Sequence, residues 1–339
     1  VIMKNDPYKS AGVDIKAGND LVDKIKKDVA STFDKNVLNE IGSFSGFYSL
    51  PKGFKDPVLV ACTDGVGTKV SLAQENSSLE SIGQDLVAMC VNDMVTSGAR
   101  PLFFLDYFAS SKLDVSETIT VIRGIAKACK KSNCSLIGGE TAEMPNHYTG
   151  KNFDLAGFSV GVVEKKLIIS PSKVKKNNII VGIESSGAHS NGYSLINKLI
   201  QESRLNESDR SNIIEFALKP TYLYTSVILD LVKKVEVKSI ANITGGGLTE
   251  NIPRSIPNTL SSEIYLDNWK IPSFFKTLQE LGNIEKSSML KIFNCGIGMT
   301  VIIEPKDLNK TLDVLSKHKF KGYMIGKVIN EASSKIKFV

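Results

Sequence analysis

Four carboxylates of this chain lie at or inside apolar stretches. Asp64 follows the run PVLVAC in the stretch TDGVGTKV, and Asp93 sits within SIGQDLVAMCVNDMVTSGA. Asp106 interrupts FFLDYF, while Glu140, with Glu143 three residues on, leaves the strand SLI through two glycines in GGETAEMPNHY. A carboxylate on an apolar element must be paired, metal-bound or neutral. Several such groups at strand ends suit a hard cation such as Mg²⁺, which takes oxygen ligands and accompanies phosphates. Each residue alone also has a plainer reading. Asp64 then bonds its own backbone in a turn, and Asp93 joins a structural ion pair or caps a loop.

Glycine-rich turns stand beside these acids. TDGVGTKV is neither a P-loop nor a dinucleotide fingerprint, since both consensus spacings are broken. Gly65 and Gly67 let the backbone take positive φ and approach a ligand closely. Lys69 would then neutralise phosphate charge. In the second half, SSGAHSNG lies between a strand and a helix. Ser190 or Asn191 is expected to cap that helix, leaving its free N–H groups for an anion. Ser185, Ser186 and Gly187 add small donors. His189, one of three histidines, is either a packed structural residue or a site residue of this loop. In SIANITGGGLTENIPR, the run Thr244-Gly245-Gly246-Gly247 reads as a backbone cradle for phosphate or as a tight packing loop. FNCGIGM lines the same region or is a bulged strand.

The elements that must position these residues follow from periodicity. Residues Asn19 to Phe33 read as a helix with Val22, Ile25, Val29 and Phe33 on one face. Residues 57–62 read as a buried strand, and 82–98 as a helix apolar almost all round, ended by Gly98 and Pro101. Asp93 shares a face of that helix with Leu86 and Cys90. PLFFLDYFA is a strand, and Asp114 with Glu117 forms a helix-capping pair. The polar, basic stretch LIISPSKVKKNN marks a boundary near residue 170, giving domains 1–170 and 171–339. Strands and helices alternate on both sides of it. The fold class is α/β (α+β) in two domains.

Bulk numbers narrow the function. The 339 residues are 42% hydrophobic and 23% charged, ordinary globular composition. A net charge of +6 spread along the chain suits anionic small molecules and gives no support to a nucleic-acid partner. Five cysteines, odd in number and without a C-x-x-C pair, read as buried thiols in a reducing, cytoplasmic setting. The opening residues VIMKNDPYKS hold no apolar leader core. No run approaches the ~20 apolar residues of a membrane span.

The motifs YKSAGVDIKAGN, TDGVGTK, GQDLVAMCVNDMVTSGARPLFFLDY, GGETAEMP, DLAGFSVGVVE, SSGAHSNGYSL, TGGGLTENIPR and FNCGIGM occur in that order, from Tyr8 to Ile329. Together they closely resemble the phosphoribosylformylglycinamidine cyclo-ligase (AIR synthetase) family. The resemblance implies a fold with an N-terminal mixed, barrel-forming sheet domain that pairs in a homodimer, and a C-terminal α/β domain. It implies conversion of formylglycinamidine ribonucleotide and ATP to aminoimidazole ribonucleotide, ADP and phosphate, with Mg²⁺ and often K⁺. In that chemistry an amide oxygen takes the γ-phosphoryl group, and a nitrogen then closes the ring. Asp64, Asp93 and Glu140 become metal ligands, and His189, Lys69 and Asn191 the catalytic set. Asp14, Gly65, Gly67, Thr68, Ser186, Gly187, Thr244, Gly245, Gly246 and Gly247 hold nucleotide or substrate phosphate. No membrane or nucleic-acid partner is expected. The alternatives are a same-fold ATP enzyme, such as selenophosphate synthetase or thiamine-phosphate kinase, or a non-catalytic nucleotide sensor. The first of these normally carries an early Cys or selenocysteine, and no cysteine precedes Cys62.

Overall fold

Alternation of buried and exposed residues defines the first sheet. The computed structural model describes residues 7–330 and 333–339. The opening six residues of the stretch read for a leader lie outside the described residues. The chain forms two compact units. The first takes residues up to Lys55, Leu59–Val91 and Pro101–Val162. The second takes Asp56–Val58, Asn92–Arg100 and Val163–Val339.

The first unit draws on α1 (Pro7–Ser10), α2 (Ile15–Ala30), β1 (Pro57–Gly65), α3 (Lys69–Glu75), α4 (Leu79–Val95), β2 (Arg100–Ser110), α5 (Val115–Lys131), β3 (Ser135–Glu143) and β4 (Phe153–Glu164). Its four strands run in the order β1-β4-β2-β3. β2 and β3 are parallel, with a register shift between Phe104 and Leu105. On the inner face lie Phe104, Phe108, Leu155 and Leu136. α4 is buried nearly all round: Ile82, Leu86, Val87, Cys90, Val91 and Met94 have almost no exposed surface. Gly83 and Gly124 permit its contact with α5. A Cβ on either would strike the other helix's backbone, at Val121 and Ile125 in one case and Glu80 in the other.

β1 departs from the expected buried strand. It is an edge strand whose alternate residues face solvent, and Leu59 is 62% exposed. Tyr107 of β2 and Phe158 of β4 are exposed as well. They project from the sheet face opposite the core, because the inward-facing partners Phe104 and Gly157 pack on each other and on Leu86. An apolar run of that length reads alike whether one face or both is covered.

The second unit holds β5 (Ile179–Glu184), α6 (Tyr193–Glu202), α7 (Glu207–Ala217), α8 (Thr225–Lys234), β6 (Ser239–Asn242), α9 (Gly247–Arg254), β7 (Leu260–Ile264), α10 (Ser273–Leu281), α11 (Lys286–Ile292), β8 (Ile297–Ile303), α12 (Leu308–Lys317), β9 (Gly322–Asn330) and β10 (Ile336–Phe338). Its sheet order is β10-β7-β9-β5-β8-β6, antiparallel except for the parallel β10–β7 pair. Val181, Ile183, Met299 and Val301 share one face and pack against Ile228 and Leu231 of α8 and Leu315 of α12. The architecture is mixed α/β in two units, as the strand and helix alternation predicts.

All five cysteines are free thiols, four of them buried. No helix among the described residues is long and apolar enough to cross a membrane.

Candidate functional site

The glycine loops of the second unit converge. β5 ends at Glu184 and β6 at Asn242, and each leads through small residues to a helix. The two strands flank β8 in the sheet, so both loops emerge beside it. Ser185 Oγ donates to Asn294 Oδ1 at 3.0 Å, and Asn294 Nδ2 donates to the Gly187 carbonyl at 2.8 Å. Asn294, in FNCGIGM, thereby clamps the SSGAHSNG loop. Gly246 and Gly247 adopt positive φ of 92° and 56°, conformations that β-carbon sterics disfavour, and they turn the chain directly into α9. Asn251 Nδ2 donates to the carbonyls of Thr244, Gly245 and Gly247 at 2.9–3.3 Å. That one amide organises the whole triple-glycine loop.

The two loops meet at Asn191 and Gly245. A Cβ built on Gly245 would have Asn191 Oδ1 as its nearest neighbour, 3.7 Å away. Asn191 Nδ2 is buried and has no hydrogen-bond partner among the described residues. A buried donor without an acceptor is unfavourable by about 1–3 kcal/mol. It fits a ligand oxygen, and an unfilled glycine gap beside it gives that oxygen room. Among the residues expected from the sequence, these are the ones that the structure brings together.

Other residues of the loop do different work. His189 is 2% exposed and adopts φ of 59°. Its Nε2 accepts from the Ser186 N–H at 3.3 Å, and its ring lies against Tyr222 and Tyr224. Ser186 Oγ donates to the Pro220 carbonyl at 2.7 Å. His189 is thus held as a packed residue of the loop, between the Ser186 N–H and the two tyrosine rings. The expected cap also changes. The residue at the head of α6 is Gly192, with φ of 80° and no side-chain cap, a left-handed conformation that glycine adopts without a β-carbon clash.

In the first unit, Asp64 Oδ1 accepts from the Gly65 N–H at 2.8 Å. Gly67 has φ of 69° and open space where a Cβ would be, and Thr68 precedes α3 without a side-chain cap bond. Lys69 does not face that turn. It is fully buried, and its Nζ lies 2.8 Å from Asp85 Oδ2 and 3.0 Å from Oδ1. Desolvation pushes the Lys69 pKa down, while the Asp85 charge and hydrogen bond oppose that shift. Its expected contact with phosphate is therefore corrected: the one-turn step onto α3 aims the side chain into the core. Asp14 caps α2 by accepting from the Ala17 N–H and pairs with Lys9 at 2.6 Å. The Lys9 hydrogen bond and the helix-capping bonds hold its carboxyl below the ordinary value. Glu143 accepts from the N–H groups of Asp14 and Leu113, at 2.5 and 2.8 Å. Glu140 is exposed on β3, opposite Tyr107.

Asp93 opens into a cavity of about 320 Å³ in the second unit, where Asn242 Nδ2 donates to its Oδ1 at 2.8 Å. Desolvation raises its pKa, with Asn242 and the nearby Arg254 pulling the other way. Among the described residues no three His, Cys, Asp or Glu side chains gather closely enough to hold a metal ion. Of the expected metal ligands, Asp64 and Glu140 stand in the first unit and Asp93 in the second. One carboxylate caps its own strand end, one is held by an asparagine, and one lies on an exposed sheet face.

Sequence reasoning passed over Asp85, Asn242, Asn251, Arg254 and Asn294. Asn251 and Arg254 lie inside the motif GLTENIPR, directly after the glycines, and an i, i+3 pair on a helix was the available signal.

Residues 53–163 match the AIR synthase related protein, N-terminal domain family, and residues 175–339 match the corresponding C-terminal domain family. Among solved structures, hydrogenase maturation protein HypE in complex with ATP is similar at TM-score 0.70 and 16% identity, over 97% of this chain and 94% of that one. Thiamine-monophosphate kinase from Stenotrophomonas maltophilia is similar at TM-score 0.67 and 15% identity, over 94% and 95%. Phosphoribosylformylglycinamidine synthase II from Thermotoga maritima is similar at TM-score 0.56 and 16% identity, over 81% of this chain and 41% of that one. At these identities the likeness is one of fold. The two family matches span most of the sequence, and the chain belongs to the AIR synthase related protein family.

Proposed function

We propose that this protein is an ATP-dependent ring-closing ligase of the cyclo-ligase type. It would convert formylglycinamidine ribonucleotide to aminoimidazole ribonucleotide with release of ADP and phosphate, as a cytoplasmic enzyme. The observation that carries this reading is the unsatisfied, buried Asn191 Nδ2 beside the open gap at Gly245. The ordered motifs from Tyr8 to Ile329 supply the substrate. ATP contributes the phosphoryl group that turns an amide oxygen into a leaving group. The chain's part is to hold phosphate oxygens on the Asn191 amide and the Thr244–Gly247 backbone, oriented by Asn251. Fixed donors of this kind stabilise developing charge without reorganising, which is how phosphoryl-transfer sites gain most of their rate.

The test is ADP release with formylglycinamidine ribonucleotide and ATP. ADP formation that depends on that substrate supports the reading. Equal ADP formation without it, or turnover of thiamine monophosphate in its place, overturns it. Gly245→Val is expected to lower kcat/KM at least ~100-fold. Its unfolding free energy should move by less than about 1 kcal/mol, because space is open at that Cβ. Unimpaired turnover in a folded variant would remove the cradle.

The exposed sheet face of the first unit supports a homodimer. Leu59, Phe158 and Tyr107 are exposed on the neighbouring strands β1, β4 and β2, with β1 at the sheet edge, and exposed apolar residues of this kind favour association. Light scattering is expected to give twice the 36.9 kDa chain mass. Phe158→Asp should give the monomer, and a monomeric unmodified protein would contradict the proposal.

A further inference from the structure

The first unit contains a hollow of about 240 Å³ that none of the roles above uses. Three segments wall it: the end of β2 at Phe108 and Ser110, the first turn of α5 with its cap Asp114, and the chain at Gly150, Lys151 and Phe153. These walls are tied to one another. Ser111 Oγ donates to the Gly150 carbonyl, and Gln74 Nε2 donates to the Lys151 carbonyl at 2.9 Å and to Glu117 Oε2 at 3.0 Å. Phe108 and Phe153 stack with ring centroids 4.7 Å apart, and with Leu113 they supply the apolar lining. Ser110 follows Phe108 by two residues, so strand alternation turns both side chains to the same face of β2. The serine is 3% exposed, and its Oγ has no hydrogen-bond partner among the described residues. Most other polar groups of the hollow are engaged. Asp114 accepts from the Ser116 and Glu117 N–H groups, Thr118 Oγ1 donates to the Asp114 carbonyl at 2.8 Å, and Glu117 faces Lys151 at 3.7 Å. Lys112, exposed at the rim, has no carboxylate partner among the described residues.

A buried hydroxyl without a partner is unfavourable, and an acceptor brought by a ligand relieves it. A stacked phenyl pair packs well against a further ring. One uncommitted ammonium at the rim favours a single negative charge, while Asp114 and Glu117 oppose a second. The volume lies below the roughly 300–1,000 Å³ of sites for drug-sized ligands, so one ring fills it. We propose that this hollow binds a small aromatic monocarboxylate. Its ring lies against Phe108, Leu113 and Phe153, one carboxylate oxygen accepts from the Ser110 hydroxyl, and the other faces Lys112. The first unit alone lines the site, and the ring-closing reading plays no part in it.

Benzoate is the probe, with benzamide as its neutral counterpart of nearly the same shape. In NMR titrations of the full chain, benzoate is expected to shift the backbone amide signals of residues 110–113 and 150–153, with a Kd of about 1 mM. Benzamide should bind ~3-fold more weakly, the size of an exposed charge effect. Ser110→Ala should weaken benzoate ~10-fold. Its urea midpoint should stay equal or rise, because the hydroxyl it removes has no partner to lose. A serine that only supported the fold would cost stability instead. Lys112→Gln changes an exposed side chain and should weaken benzoate ~3-fold while leaving benzamide unchanged. No saturable shift of these signals at millimolar benzoate overturns the assignment. So does a Ser110→Ala protein that binds benzoate undiminished, or a Lys112→Gln protein that keeps the full preference over benzamide. Tighter binding of benzamidinium than of benzoate overturns it as well, since the two acids would then set the sign of the ligand.

Discussion

Lys69→Met is expected to destabilise the protein by about 3–5 kcal/mol, and Asp85→Asn by a similar amount. Both side chains are wholly buried, with Nζ 2.8 Å from the nearer carboxylate oxygen. Removing one partner leaves the other charge desolvated and without its counter-ion, and that penalty exceeds what a typical core truncation carries. The double variant Lys69→Met/Asp85→Leu should recover most of the loss, because two apolar groups of similar volume have no charge to desolvate. Urea unfolding of the four proteins measures this directly. A loss below about 1 kcal/mol in either single variant, or a double variant as unstable as the singles, would mean that the pair is not the desolvated unit its geometry describes. The pair also anchors the start of α3 to α4, immediately after the turn that carries Asp64 and Gly67.

Asp106→Asn should make the protein more stable above neutral pH and change the sign of nothing else. Asp106 sits on the inner face of β2, 8% exposed, and burial lifts its carboxyl from 3.8 to about 7. Its own backbone N–H is the one interaction that favours the charged form. Between those two pH values the folded chain keeps a proton that the unfolded chain has released. Stability from this group is therefore full below about pH 4 and is lost as pH rises through about 7. At 1.36 kcal/mol per pKa unit the loss is about 4 kcal/mol at most. Asparagine does not ionise, so the variant should gain about 2–4 kcal/mol over the unmodified chain near pH 8.5 and little near pH 4. Unfolding curves of both proteins at the two pH values decide the matter. Parallel pH dependence would show that Asp106 titrates as an ordinary surface carboxylate. Asp14, held low first by its Lys9 hydrogen bond, and Asp114, held low by the Ser116 hydroxyl and its cap, slope the opposite way in both proteins and cancel in the comparison.

What could be read along the chain was whatever depends on near neighbours. The 3.6-residue spacing of Ile122, Ile125, Ala126 and Cys129 defines the buried face of α5 without any tertiary information. Asp114 caps that helix on the Ser116 and Glu117 N–H groups because the bond spans two and three residues. Glu117 was expected to reach back to the cap but accepts from Gln74 instead, a partner 43 residues away. Helix limits drifted by a few residues, α2 running Ile15–Ala30 and α4 Leu79–Val95. The strand-then-glycine pattern after β5 and β6 was equally local. So was the motif order that led to the family.

Only the folded chain decided which of those residues meet. Lys69 looks in sequence like a lysine waiting beside a phosphate loop, and it differs from one only through Asp85 on the next helix. Asp93 shares a helical stripe with Leu86 and Cys90, yet they are buried while it opens to a cavity, since the stripe outlasts the core beneath it. Asn191 and Gly245 are separated by more than fifty residues and become neighbours because β5 and β6 both flank β8. The physical reason is the same in each case. Hydrophobic period and capping chemistry act within about one helical turn of chain, so sequence carries them. The partner of a charge and the cover over a strand depend on the path of the whole chain, and burial there outweighs local preference.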